Sequence, residues 1–218
     1  MKKQQVVSML LGAAFILPAI NVSAAESSVS AAVTSNYVFR GQTMSKDGVA
    51  VQGAYNIKQS KDDLGWYAGA FLSTVGKIGG DGFEGDGFGG WKGSFGQQSK
   101  MGYDVGGIFY KYTDNKLFKD TTEIYAGINY ETAYLKLFSG SGPGVKNYTY
   151  IDLGASFVVM QDLDLDLHAG HLSSPNTNDL GARLKTKVKD YDLSLDLTVE
   201  DSNNNIEFFV TVGKSFDL

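Results

Sequence analysis

The chain has 218 residues, 19 basic and 24 acidic side chains, a formal charge of −5, and no cysteine. The acidic balance argues against nucleic acid as a partner, because phosphate binding needs a basic face. The lack of cysteine removes any disulfide framework or thiolate metal site.

Lys2 and Lys3 precede an apolar stretch, Val6 to Ile20, that Pro18 breaks near its end. Val22-Ser23-Ala24 then supplies small residues, so residues 1–24 read as a signal peptide cleaved after Ala24, with Ala25 the alternative. The apolar stretch is short for a membrane anchor, which needs about 20 residues. Cleavage moves the formal charge to −7, since Lys2 and Lys3 go and no acidic residue does. It leaves about 194 residues, 25–218, a usual size for one domain. No later segment is apolar enough to cross a membrane as a helix, which leaves strands as spanning elements.

From Val29 onward the apolar residues recur with period two, the mark of strands with one apolar and one polar face. The expected strands are Val29–Arg40, Val49–Lys58, Leu64–Thr74, Phe88–Gln97, Met101–Tyr112, Thr121–Tyr130, Ala133–Ser139, Tyr148–Val159, Leu163–Leu172, Leu180–Val188, Tyr191–Glu200 and Ile206–Leu218. Phe88–Gln97 has only Trp91 and Phe95 to define a face, and an even strand number means either twelve or ten. The fold expected is all-β: an antiparallel up-and-down transmembrane β-barrel spanning 25–218, most simply with twelve strands. A periplasmic N-terminus puts the outer loops at 41–48, 75–87, 113–120, 140–147, 173–179 and 201–205. The inner turns, on the whole shorter, fall at 59–63, 98–100, 131–132, 160–162 and 189–190, the asymmetry of outer-membrane barrels. Tyr37, Phe39, Tyr110, Tyr112, Tyr130, Tyr148, Tyr150 and Tyr191 stand near strand ends, where interfacial girdles are expected. The last strand carries Phe208, Val210, Val212, Phe216 and Leu218 in one register. Such an ending resembles the signal read by the outer-membrane assembly machinery, although the usual final residue is Phe.

The polar face of such a barrel lines its lumen. Asp164, Asp166 and His168 are expected to face Lys187, Lys185 and Arg183 in that order, with Asp192 opposite Lys187 and Asp196 opposite Arg183. A basic column between two acidic ones would pin strand register and set a transverse field across an open bore. Arg40, Gln52, Asn56, Lys58, Asp104, Glu123, Asn129, Lys136 and Asp152 are further inward candidates. In the run Gly79–Gly90, Asp81, Glu84 and Asp86 are hard oxygen ligands of the kind calcium takes. The run has no EF-hand spacing, and a flexible outer loop is the simpler expectation. His168 and His171 are the only histidines, and no G-x-S-x-G stands near them. Ser173, Ser174 and Asp179 are close in sequence, yet these residue types alone do not make a triad, and no enzyme activity is expected.

Val33-Thr34-Ser35-Asn36-Tyr37-Val38-Phe39-Arg40-Gly41-Gln42-Thr43 resembles the opening strand of the TorF porin family of exported Gram-negative proteins. Val49–Gly53, Trp66–Gly69, Gly107–Tyr112 and Glu123–Gly127 are similar to its later strands, while the Gly79–Gly90 run is peculiar to this chain. The resemblance implies an outer-membrane channel without naming a solute, and it implies a lumen-mouth cluster of Asn36, Arg40, Gly41 and Gln42. The expectation is therefore a pore for passive diffusion of small hydrophilic solutes or ions. Its surroundings would be outer-membrane lipid and lipopolysaccharide, with no cofactor. Two alternatives stand beside it: a non-conducting barrel whose outer loops bind a ligand or partner, and a soluble periplasmic barrel holding an apolar ligand. Nothing in the sequence marks a subunit interface.

Overall fold

The computed structural model describes residues 25–61, 64–77, 82–96, 99–113, 118–202 and 205–218. The expected signal peptide and Asp81 lie outside the described residues. In chain order the strands are β1 (Glu26–Thr34), β2 (Val38–Phe39), β3 (Gln42–Thr43), β4 (Ala50–Lys61), β5 (Leu64–Thr74), β6 (Phe83–Ser94), β7 (Met101–Tyr112), β8 (Thr121–Tyr130), β9 (Ala133–Gly142), β10 (Val145–Met160), β11 (Leu163–Ser173), β12 (Asn176–Val188), β13 (Tyr191–Glu200) and β14 (Asn205–Asp217). Twelve of them, all but β2 and β3, form one closed antiparallel barrel, with β1 paired to both β4 and β14. Closure leaves no sheet edge unpaired, as a spanning sheet requires.

Alternation decides which face is outside. Leu163, Leu165 and Leu167 share one side of β11, and Asp164, Asp166 and His168 share the other, against Lys185, Arg183 and Gly181. Leu153, Leu180 and Phe208 are 54%, 59% and 64% exposed, while Glu84, Glu123 and Glu200 are buried. An apolar belt outside and buried carboxylates inside invert a soluble protein and fit a barrel surrounded by lipid. The soluble, apolar-filled alternative needs the leucines inside and is overturned by this arrangement. Inward glycines let large side chains lie flat on the wall. A Cβ at Gly140 would strike the Tyr148 ring, one at Gly154 the Tyr134 ring, and one at Gly181 the His168 ring.

The structure departs from five expectations. The first strand ends at Thr34 rather than Arg40, and the following segment folds into the bore as the separate β2–β3 hairpin. The Gly79–Gly90 run is a wall strand from Phe83 onward, not a loop. Glycines at its outward positions erase the apolar face while Glu84, Asp86 and Phe88 point inward. The turns after β9 and β11 contain two residues each, so the long outer connections are those before β4, β6 and β8. The Ser174-Pro175 turn pairs Ser173 with Asn176 and shifts the expected β11–β12 register by two. Asp164 thus faces Lys185, Asp166 faces Arg183 and His168 lies over Gly181, whereas the expected Asp192–Lys187 and Asp196–Arg183 pairings occur. Of the aromatics expected in girdles, Tyr130 and Tyr191 are outward and about half exposed, but Tyr110, Tyr112, Tyr148 and Tyr150 face the lumen. Tyr37 and Phe39 are on the hairpin segment, where Tyr37 meets Phe71 and Phe39 meets Tyr110. The outward aromatics near the inner turns are instead Trp66, Trp91, Phe95, Tyr103, Phe157 and Phe216, beside Tyr130 and Tyr191.

Candidate functional site: the lumen and its hairpin

A small polar knot turns the chain into the bore after β1. Thr34 Oγ1 donates to the Asn36 carbonyl at 2.7 Å, and Thr43 Oγ1 and Ser45 Oγ donate to Asn36 Oδ1 at 2.7 and 2.8 Å. Asn36 Nδ2 donates to Glu207 on β14 at 2.9 Å, tying the knot to the wall. The chain reverses at Arg40 and Gly41, whose φ values of 50° and 78° lie in the left-handed region. Met44, Val75, Tyr110 and Tyr112 form the buried apolar cluster that Tyr37 and Phe39 pack against.

At the hairpin tip Arg40 closes a bidentate ion pair with Glu123 of β8, Nη1–Oε1 2.6 Å and Nη2–Oε2 2.9 Å. Tyr110 and Tyr148 also donate their hydroxyls to that carboxylate, at 3.0 and 2.7 Å. The guanidinium lies over three rings: Tyr150 at 4.1 Å, Phe39 at 4.7 Å and Phe138 at 5.1 Å. Charged bidentate bonds and ring faces together hold the guanidinium where water barely reaches. The Arg40 side chain is 11% exposed and that of Glu123 0%. Gly41 meets the opposite wall closely: a Cβ there would sit 2.7 Å from Glu200 Cβ and 3.0 Å from Asp179 Cβ. The hairpin therefore reaches across the outer half of the lumen.

The rest of that outer half is acidic. Tyr112 donates its hydroxyl to Glu84 Oε1 at 2.7 Å, and Tyr150 donates to Asp179 at 3.1 Å. Asp86 is inward beside Glu84, and Glu200 is buried at the end of β13. Beneath the hairpin lies a cavity of about 420 Å³ lined by Arg40, Tyr134, Asp152, His168, Arg183 and Asp196, among others. His168 stands between Asp152 and Asp179, with nitrogen–oxygen distances of 3.6 and 3.4 Å. The inner half is a wall of paired charges. Lys136 bridges Asp104 at 2.6 Å and Lys185 bridges Asp166 at 2.7 Å, while Arg183 pairs with Asp196. A second cavity of about 580 Å³ is lined there by Asp164, Lys185, Lys187, Asp192 and Ser194.

Of the residues singled out from sequence, Asn56, Asp104, Glu123, Asp164, Asp166, His168, Arg183, Lys185, Lys187, Asp192 and Asp196 all occupy inward registers. Arg40 reaches the lumen from the hairpin rather than from a wall strand. Asp179 and Glu200 were not among the lumen candidates. Glu84 and Asp86 read from the sequence only as loop ligands. The signal that finds them is the alternation Glu84–Asp86–Phe88, legible once glycine is allowed on the lipid face.

His171 is outward at the outer rim, on the opposite face of β11 from His168. Its Nδ1 lies 2.9 Å from Asn178 Oδ1. Asn178 donates its backbone N–H and side-chain N–H to Asp201, at 2.8 and 2.5 Å. These bonds hold the Asp201 carboxyl, in the outer turn, below the usual range. Ser173 Oγ accepts the Thr149 N–H at 2.8 Å, and Asp179 points into the barrel with Tyr150.

Residues 19–211 match the model of a family described as "Bacterial protein of unknown function (Gcw_chp)". No curated protein matches the sequence. Among solved structures, the chain is similar to the KdgM porin, with 9% identity and a TM-score of 0.58 over 87% of this chain and 99% of that one. An outer-membrane channel from Pseudomonas putida F1 gives 9% identity and a TM-score of 0.57, covering 93% and 100%. Outer membrane phospholipase A from Escherichia coli gives 9% and 0.52, covering 88% and 92%. At such identities the likeness is one of fold, and that fold hosts both channels and an enzyme. With the lipid-facing belt and the charged lumen, it makes this protein a bacterial outer-membrane β-barrel of porin-like architecture, and the chain belongs to the Gcw_chp family.

Proposed function

We propose that the barrel is a passive pore for small hydrophilic solutes and ions, and that it passes cations more readily than anions. The observation that carries this reading is the charged lumen enclosed by an apolar belt, with the cavities beneath the hairpin and along β12–β14. The cation preference rests on the outer half, where Glu84, Asp86, Glu123, Asp179 and Glu200 surround one guanidinium, that of Arg40. Acidic rings favour cations through their field. The resemblance of Val33–Thr43 to TorF porins supports the same function. The reading involves no cofactor and no catalysis, with export through residues 1–24 and insertion guided by β14. Lipid and lipopolysaccharide then meet the leucine rows.

A second reading, a non-conducting barrel with partner-binding outer loops, draws on the hairpin itself, since the Arg40–Glu123 pair sits across the bore. Recordings of the purified barrel in planar lipid bilayers separate the two. A pore gives discrete steps that grow with potassium chloride concentration, and a salt gradient gives a reversal potential toward potassium. Steps without that potential would remove the cation preference alone. Silence from correctly folded barrel would leave the second reading.

A further inference from the structure

Glu84 is fully buried on the lumen face of β6, and Asp86 is two residues on along the same face, roughly 7 Å away along the strand. Tyr112 satisfies Glu84 Oε1, and Tyr37 is close enough to the same carboxylate to interact with it. Glu84 Oε2 and Asp86 Oδ1 are both shielded from solvent and have no protein partner. The charges that act most strongly on Asp86 are two further carboxylates, Glu84 and Glu123. The nearby cation, Arg40, is committed to Glu123 through both of its terminal nitrogens. A buried carboxylate beside a half-buried one, each with an unpartnered oxygen, is unfavourable without a counter-charge unless something positive joins them.

We propose that Glu84 and Asp86, with the Tyr37 and Tyr112 hydroxyls beside them, form a binding site for a hard divalent cation of calcium size in the outer half of the lumen. The donors suit that class: all are oxygens, two are carboxylates that supply a charge of −2, and nitrogen or sulfur ligands are absent from the group. A divalent ion matches that charge, and the two unpartnered oxygens give it an opening on one face of one strand. Elsewhere in the lumen the acids have partners: Asp104 has Lys136, Asp166 has Lys185, Asp196 has Arg183 and Glu123 has Arg40. Glu200, also buried, accepts the Ser202 N–H; among the described residues the buried side-chain oxygens without any partner are those of β6. The site does not depend on conduction, so an empty site and a silent barrel are separate results.

The two tyrosines make the site readable. Terbium, a calcium-sized probe, luminesces when excited through a nearby tyrosine, and calcium competes for the same oxygens. The full barrel, folded in zwitterionic detergent and checked by heat-modifiable gel mobility, is titrated with terbium chloride and then with calcium chloride. Saturable luminescence that calcium displaces is expected. In the E84Q/D86N double variant the half-saturation concentration should rise at least tenfold. Asp86→Asn alone, which leaves the Glu84–Tyr112 bond in place, should show a smaller rise and guards against misfolding of the double variant. Asp190→Asn, at an exposed inner turn, should leave the titration unchanged. A wild-type barrel without saturable, calcium-displaced luminescence would overturn the proposal, as would equal titrations of the wild type and both β6 variants. So would a double variant that is more heat-resistant than wild type with and without calcium, because the pair would then be holding a proton.

Discussion

The outer and inner halves of the lumen are both built from charged side chains, but burial separates them. In the outer half the Arg40 and Glu123 side chains are 11% and 0% exposed, and aromatic rings cover the guanidinium. In the inner half Lys185 and Asp166 are 42% and 30% exposed, Lys185 lining the inner cavity and Asp166 the one beneath the hairpin. The same chemistry of ammonium or guanidinium against carboxylate should therefore carry unequal weight. A pair sealed from water leaves a costly orphan when one partner goes, whereas a wet pair leaves a solvated ion. Burial makes the outer pair a dry structural plug around the hairpin tip and leaves the inner pairs wetted by solvent.

The largest effect is expected from Arg40→Ala. It strands the Glu123 carboxylate with only the Tyr110 and Tyr148 hydroxyls and removes the ring contacts of the guanidinium. A loss of about 3–5 kcal/mol, the usual cost of orphaning a buried charge, should appear in denaturant unfolding of the folded barrel. Conductance steps should also enlarge as the hairpin tip comes free. R40A/E123Q should recover a large part of the stability, since the second change removes the orphan. A loss below about 1 kcal/mol for the single variant would make the outer pair no different from a surface one.

Gly41→Ala tests the same plug without touching a charge. The residue has φ 78°, and its added Cβ would press on Glu200 and Asp179. Backbone strain of this kind costs of order 1–3 kcal/mol, and the crowding adds to it. A matching shift in the unfolding midpoint is expected, with the barrel still formed. No shift would mean that the tip does not rest against β12 and β13.

The comparison also explains what the sequence reveals. In β11 to β13 each outward leucine alternates with an inward charge, so the wall is written at period two and is readable residue by residue. Register there depends on one turn, Ser174-Pro175, which a reading of 173–179 as a loop hides. The hairpin is harder to see because Tyr37 and Phe39 continue the parity of Val33, and periodicity cannot tell a wall strand from a segment that keeps its alternation after leaving the wall. Only the polar knot at Thr34, Asn36, Thr43 and Ser45 marks the departure, and its partners are fixed by three-dimensional contact. In β6 the glycines remove the outward half of the signal, so Glu84 and Asp86 look like loop residues. The lumen was legible where lipid writes the opposite face, and illegible where protein packs against protein or glycine replaces the apolar residue.

The smallest effect is expected in the inner half. Lys185→Ala removes the partner of Asp166, but Ser156 still donates to that carboxylate at 2.7 Å and Arg183 stands directly opposite. With both groups partly exposed the stability change should be about 0–1 kcal/mol. The functional change is a different quantity. One positive charge leaves the wall of the inner cavity, so the reversal potential should move further toward potassium. Screening sets the condition: the Debye length is about 10 Å in 0.1 M salt and about 3 Å in 1 M. The shift should thus be clear in dilute salt and nearly vanish in concentrated salt. If Lys185→Ala destabilised the barrel as much as Arg40→Ala does, the inner wall would be as dry as the plug, and burial would no longer be what distinguishes the two halves.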